Sequence, residues 1–478
     1  MSPALTTSTA QPDTASEATT KSLIADRPTH ILHRTPWRPP VATKAEGLII
    51  TLEDGSTLID AAGGAAVVSV GHGHPKVIQA IKEQAEKVCY VYNMQLSNER
   101  AEELADYIIN ESDGAFELCG FVSGGSEAME GAIKLARQYF WETNQPQRTN
   151  FIARKLSFHG NTVSTLGLAF HPTRRAPYAG IMDDTHFHHV SAAYAARFQE
   201  PDETEEQYVE RLRKELEDKF IELGPDTVVG FFAETVVGAT TGCVPPPKGY
   251  LKAMKSVCDK YGALFVLDEV MSGMGRMGSY HAWQTYGPDA VPDIQAVAKG
   301  LGGGYASIGA VLMNKRVAEG VRGLWKHGHT YQAQPLSCAA SLAVQKVFKE
   351  EKLIENCRIQ GEYLGQQLEE KLGHNSIAAP FVFNIRGGGM FWGTEFDFTV
   401  AEAVKLDFKG QAFAIAVQAR CLENGLIVMG LTGGANVEGT KGDHVMLCPP
   451  YTVTKADIDE IVKRYVTSVE EVLKQAGL

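Results

Sequence analysis

Four apolar runs in this sequence end in a group able to do chemistry. "GFV" runs into Ser123-Gly124-Gly125-Ser126, "VVGFFA" ends in Glu234, "LFVL" ends in Asp268, and "IQAVA" ends in Lys299. A fifth stretch, "ARKLSFHG", presents Phe158 and His159 ahead of Gly160. A lysine directly behind a buried strand and ahead of "GLGGG" is misplaced as a solubilising charge. An apolar approach disfavours the ammonium form, and a bare amine is a nucleophile toward carbonyl carbon. The segment "SGGSEAMEGAIKLARQYF" sets backbone N–H groups at a helix start, which suits an anion; the plainer reading is a glycine-rich turn with a serine cap. Asp268, followed at once by Glu269, can cap the next helix, pair with Lys299, or face a cationic nitrogen.

An anion cradle, a carboxylate, an amine and an aromatic ring on one rim match the parts of pyridoxal 5′-phosphate. That cofactor has a phosphate, a ring nitrogen, an aldehyde and two flat faces. The carboxylate keeps the ring nitrogen protonated so that the ring draws electrons, and the lysine condenses with the aldehyde.

The elements that must hold these groups are readable too. From about 116 to 312, short apolar runs ("FELCGFV", "NFIAR", "VVGFFAE", "LFVLDEV", "IGAVLM") alternate with helical stretches. This pattern predicts a parallel sheet covered on both sides. In such a sheet ligands gather at the carboxyl ends of the strands, where all these groups fall. "GLIITLEDGSTLIDAAGG" predicts two short strands joined at "EDGS". Pro75 opens a helix over "HPKVIQAIKEQAEKV", and "SNERAEELADYIINE" predicts another, with Ser97 at its start and Arg100 where a capping box needs an acid. Residues 201–220 are charged at helical spacing and predict a solvated helix face. After 338, two helices, strands near "VFNIRGGGMFWGTEF" and a last helix "KADIDEIVKRYVTSVEEVLKQ" predict a smaller lobe. The expected organisation is a disordered tail over 1–25, a first part of the small domain over 26–74, a large domain over 75–340, and the rest of the small domain over 341–478.

With 478 residues, the chain is too long for a single core. Its 44% hydrophobic and 21% charged residues are ordinary for a globular protein, and its net charge of −12 gives it no general attraction for nucleic acid or anionic membrane. No apolar run approaches the ~20 residues needed to cross a bilayer. Eight cysteines without a CxxC pair read as free core thiols in a reducing compartment. The Ser/Thr/Ala-rich start carries Asp13 and Glu17 but no arginine before Arg27, unlike a mitochondrial presequence, so a cytoplasmic location is expected. His72 and His74 in "VGHGHPKV" lack further metal ligands nearby and read as a loop.

"LDEVMSGMGRMG", "AKGLGGGYASIGAV", "SGGSEAMEGAIKLAR" and "GHTYQAQPLSCAA" strongly resemble class III (ω-type) aminotransferases, over almost everything after residue 30. The resemblance implies an α/β protein of fold type I: a large domain on a mostly parallel, seven-stranded sheet covered by helices, and a smaller α+β domain from both termini. It implies that Lys299 is the Schiff-base lysine and proton shuttle and that Asp268 serves the ring nitrogen. Val270 would lie against one ring face and Phe158 would stack on the other. Gly125 and Ser126 would form the phosphate cup, with His159 and Glu234 supporting the site. Thr330 would reach the phosphate of a neighbouring subunit, so a homodimer with interfacial sites is implied.

Met271 stands where many relatives carry Gln. Met429 and Met446 stand where relatives place a carboxylate-binding Arg. A small-molecule amine donor with an apolar far end, and a small 2-oxo acid acceptor such as pyruvate, are therefore expected. Trp37 and Tyr92 are candidate pocket walls. Arg386, or Lys441 in the inserted "LTGGANVEGTKGDH", is the candidate for the substrate carboxylate; a structural arginine and an exposed loop lysine are the equal alternatives. The runner-up is a relative with non-transaminating chemistry: an aminomutase, racemase, decarboxylase or lyase.

Overall fold

A computed structural model of the protein describes residues 29–35, 38–399 and 405–478. The tail expected to be disordered lies outside the described residues, as does Trp37. The molecule is organised by a seven-stranded sheet. Its strands run in the order Leu118–Val122, Gly309–Met313, Ile294–Val297, Leu264–Asp268, Val228–Glu234, Asn150–Arg154 and Phe187–Val190. All neighbours are parallel except Gly309–Met313, which is antiparallel to both of its neighbours. Every residue of Val228–Glu234 and of Leu264–Asp268 is buried. Alternate side chains feed two separate cores: Phe231 and Phe265 pack on one face, Phe232 and Val266 on the other. This is why the strands read as unbroken apolar runs, each large side chain contributing about 1.5–3 kcal/mol on burial.

The edge strand Phe187–Val190 ("FHHV") escaped the sequence reading. Two histidines mask its apolar character, and as an edge strand it buries only Val190. The helices begin where caps allow. Thr204 and Gln207 form a capping box ahead of Glu205–Leu223, which buries Tyr208, Leu212, Leu216 and Phe220 at four-residue spacing and turns its charges outward. The helix expected to start at Ser97 is capped instead by Asn98, whose side chain accepts the Ala101 N–H at 3.0 Å.

Two smaller sheets complete the chain. One joins Ala42–Glu46, Ile49–Leu52 and Thr57–Asp60 to Leu426–Ile427, so the two ends of the sequence share a sheet. The other orders Val382–Gly388, Phe391–Phe396, Asp443–Leu447 and Met429–Thr432. The helix Pro335–Glu350 runs straight through residue 340, where the sequence reading sets a boundary. His72 and His74 take Asp60 at 3.0 Å and Glu351 at 3.1 Å.

Glu395, fully buried in Phe391–Phe396, ties this second small sheet to the segment beside the large one. It accepts from the Tyr194 hydroxyl at 2.5 Å, from Arg197 at 2.7 Å and from Arg386 at 2.9 Å. Arg386 also donates to the Thr241 carbonyl and lies over the Tyr194 ring. Expected as a cation for substrate, Arg386 is instead committed to a buried carboxylate contributed by the neighbouring strand. Arg197 keeps a second carboxylate, Asp397 at 2.8 Å, so Glu395→Ala should leave Arg386 uncompensated and lower the unfolding free energy by about 3–5 kcal/mol in urea titration. A loss below about 1 kcal/mol would show that the cluster holds nothing together.

Candidate active site

Register sets the site. Glu234 pairs with Asp268, and Asp268 pairs with Ala296, three residues before Lys299. The two carboxylates thus end neighbouring parallel strands at one level, on the face covered by the helix Gly125–Glu142.

Asp268 is buried and receives two donors: His159 Nδ1 at 2.9 Å to one oxygen and the Val270 N–H at 3.0 Å to the other. Since a carboxylate only accepts, His159 carries its proton on Nδ1, and its Nε2 is buried without a partner. Glu234 accepts the N–H groups of Phe158 at 3.0 Å and Gly238 at 2.9 Å. Burial raises its carboxyl above the usual range; His159 opposes the shift and Asp268 adds to it. Glu269 turns away from the site into a buried network with Thr235, the N–H groups of Ala282 and Trp283, and Gln295. Of the two adjacent carboxylates, one therefore serves the rim and the other holds the loop behind it.

Lys299 is partly exposed and has φ +42°, a left-handed conformation that a side chain seldom adopts. Among the described residues its amine makes no hydrogen bond or ion pair, so the pairing with Asp268 considered above is not formed. Burial lowers its pKa below the ordinary 10.5; Asp268, Cys448 and Glu234 pull the other way, and Arg276 reinforces the shift. Arg276 was not singled out from the sequence. Fully buried, it donates to the carbonyls of Ala66, Val68, Met390, Cys448 and Pro449, which gathers three distant segments around Lys299. Its local signal, "GMGRMG", is only an arginine among small residues.

The helix Gly125–Glu142 begins without a side-chain cap at Gly124, and the first N–H bonded back is that of Ala128, to Gly124 O at 2.9 Å. The first-turn N–H groups therefore point free, as an anion site requires. The cradle is tight. A Cβ on Gly125 would come within 2.6 Å of Val270, and one on Gly160 (φ +129°) within 2.9 Å of Ser126 Cα. The Ser126 hydroxyl accepts the Asn161 N–H at 3.1 Å. Phe158 and Val270 are half-buried beside this cradle.

Other predicted residues fall elsewhere. Met271 and Met446 are buried in one apolar cluster, with Val236, Phe391 and half-buried Met429. Met446 is fully enclosed within this cluster. Lys441 is exposed, its N–H held by Asn436 at 2.9 Å. Tyr92 is 43% exposed and donates to Met94 Sδ at 3.0 Å. Thr330 is exposed, its carbonyl accepting the Tyr90 hydroxyl at 3.0 Å.

Comparison with known proteins adds to this geometry. The family model described as aminotransferase class-III matches residues 34–469. An uncharacterized aminotransferase of Schizosaccharomyces pombe is 42% identical over 94% of this chain and 97% of its own length. A gamma aminobutyrate transaminase 3, chloroplastic, of Solanum lycopersicum is 31% identical over 92% of this chain and 82% of its own. The solved structure of an omega transaminase from Pseudomonas jessenii in complex with PMP superposes with a TM-score of 0.84 at 27% identity, covering 96% of this chain and 99% of that one.

Lys299 gives a pH-dependent signature. Its folded pKa is depressed, so between that value and 10.5 the unfolded chain binds more protons than the folded one. Stability of the cofactor-free protein should therefore rise with pH through this window, and Lys299→Met should lose that rise. Equal slopes in guanidinium titrations of the two proteins would refute a neutral buried amine. Separately, Asp268→Asn should slow amino-group transfer about 10²–10³-fold, the scale on which one preorganised electrostatic partner is felt. A rate near wild type would reduce Asp268 to a cap.

Proposed function

On the footing that the chain belongs to the class III aminotransferases, we propose that it moves an amino group from a hydrophobic monoamine or ω-amine to a small 2-oxo acid such as pyruvate, by a two-half-reaction ping-pong cycle. It is a pyridoxal phosphate-dependent transaminase, and the residues present fit that cofactor. The fit rests on the uncapped helix start at Gly125 and on the close packing of Val270 and Ser126 around it, which a Cβ at Gly125 or Gly160 would disrupt. The single observation that carries the reading is that this helix start, Asp268 with His159, and the unpaired amine of Lys299 meet at the carboxyl ends of adjoining central strands.

When bound, pyridoxal phosphate supplies an aldehyde that takes up the amino group and a ring that accepts electrons. The chain's own residues do the rest. Gly125, Ser126 and the first-turn N–H groups receive the phosphate. Asp268, oriented by His159, holds a proton at the ring nitrogen. Phe158 and Val270 would flank the ring, and Met271 and Glu234, both packed against Gly238, where a Cβ would strike Met271 Sδ at 2.4 Å, would stand beside it. Lys299 Nζ, whose pKa burial lowers, would take a proton from the substrate carbon and return it.

The donor preference is supported by the apolar cluster of Met271, Met429 and Val236. A dicarboxylate would lay its second charge against methionine, and an unpaired buried charge costs several kcal/mol. Assembly as a homodimer is supported by the patch around Thr330, where Tyr90, Tyr92, Met94, Leu96 and Tyr331 are 40–78% exposed in the single chain. Thr330 there would serve the partner's phosphate.

Purified holoenzyme supplied with benzylamine should form benzaldehyde with pyruvate faster than with 2-oxoglutarate. A clear preference for 2-oxoglutarate would overturn the reading of the methionine wall.

A further inference from the structure

The acceptor in this reading carries a carboxylate, and neither cation expected to meet it is placed to do so. Arg386 is locked onto Glu395, and Lys441 is exposed on its loop. Arg174 differs from both. It lies on the short helix Pro172–Arg175, half-buried, with its guanidinium carbon 5.0 Å from the centre of the Phe158 ring. Among the described residues its one hydrogen bond is a long one, 3.4 Å to the Ala239 carbonyl, and it has no carboxylate within ion-pair distance. Glu234 is the acid it feels most, yet both Glu234 oxygens are taken by the Phe158 and Gly238 N–H groups. A partly desolvated guanidinium with most of its donors unused is costly unless an anion completes it.

Its surroundings place that anion at the site. Phe158 is the residue just before His159, which holds Asp268. The neighbouring His171 is buried under the C-terminal loop: a Cβ on Gly433 or Gly439 would come within 3.0 Å or 2.9 Å of its ring. Gly434 of the same loop lies as tightly on Thr241. The loop thus roofs the segment that carries Arg174. The methionine wall offers the donor an apolar surface, and Arg174 offers a bidentate cation for a group the donor lacks.

We propose that Arg174 is the specificity residue that seats the carboxylate of the acceptor oxo acid, and of the amino acid formed from it. The proposal rests on the transaminase reading above. It explains how one site takes an uncharged donor and a charged acceptor in turn without a separate pocket for each.

The test uses holoenzyme and two readouts. Propionate, a carboxylate that cannot react, is titrated by calorimetry. Arg174→Met should bind it at least about tenfold more weakly than wild type, and Arg174→Lys should fall between them. In steady state, Arg174→Met should raise KM for pyruvate about tenfold while leaving KM for benzylamine within about twofold. Cofactor absorbance should be unchanged in both variants. Unaltered propionate binding overturns the proposal, as does an equal loss for pyruvate and benzylamine, which would mark Arg174 as structural. Should Arg174→Met fail to fold, Arg174→Gln takes its place under the same two criteria. If wild type transfers no amino group at all, the transaminase reading falls, while the propionate titration still decides whether Arg174 binds carboxylates.

Discussion

Two opposite electrostatic demands meet at the carboxyl ends of the central strands, and the rest of the structure is arranged to satisfy both. Lys299 has to be a neutral amine; Asp268, beside it, has to accept hydrogen bonds from cationic or N–H partners. A dry site favours the first and penalises the second. The structure separates them by partner. Asp268 receives His159 and the Val270 N–H, so it does not need the lysine. Lys299 is left with no partner among the described residues and with Arg276 close enough to discourage its charge. Were the two simply paired, the amine would be held as an ammonium and lost as a nucleophile.

The sheet makes this separation possible. Parallel strands in register bring Glu234 and Asp268 to one level, and apolar packing on both faces fixes that level against slippage. The covering helix then arrives with its N-terminus at the same strand ends, and the absence of a Cβ at Gly125 lets it approach Val270. The left-handed turn at Lys299 is strained, and it persists because buried elements on both sides determine it.

The smaller sheets supply closure. Arg276 draws carbonyls from residues 66–68, 390 and 448–449 onto one buried guanidinium. The Glu395 cluster fastens the strand Phe391–Phe396 to Tyr194 and Arg197. Both clamps use arginine, whose planar fork can satisfy several acceptors at once. The ends of the chain therefore wall a site whose reacting groups all come from the middle.

What the sequence determined by itself was the local part. Strands buried on both faces must read as apolar runs, so the residues ending them, Glu234, Asp268 and Lys299, were visible without a structure. The helix start at Pro75 was visible for the same reason, because such signals are settled within one turn; the Thr204 capping box is seen only in the structure. Placement of the cap at Asn98 in place of Ser97 shows the limit of that view, one residue in scale. What only the tertiary structure decided was which polar groups find one another. Arg386 and Glu395 lie nine residues apart on adjoining strands, but Arg197, which completes the cluster, comes from a distant segment. Arg174 carried no signal in the sequence; the fold sets it over Phe158 and gives it no carboxylate. Met446 stands where relatives place a carboxylate-binding Arg, and only the fold shows that its side chain is fully enclosed. A charged or polar side chain is specified by its partner. The partner is chosen by long-range closure of the chain, which no pattern of neighbours in sequence records.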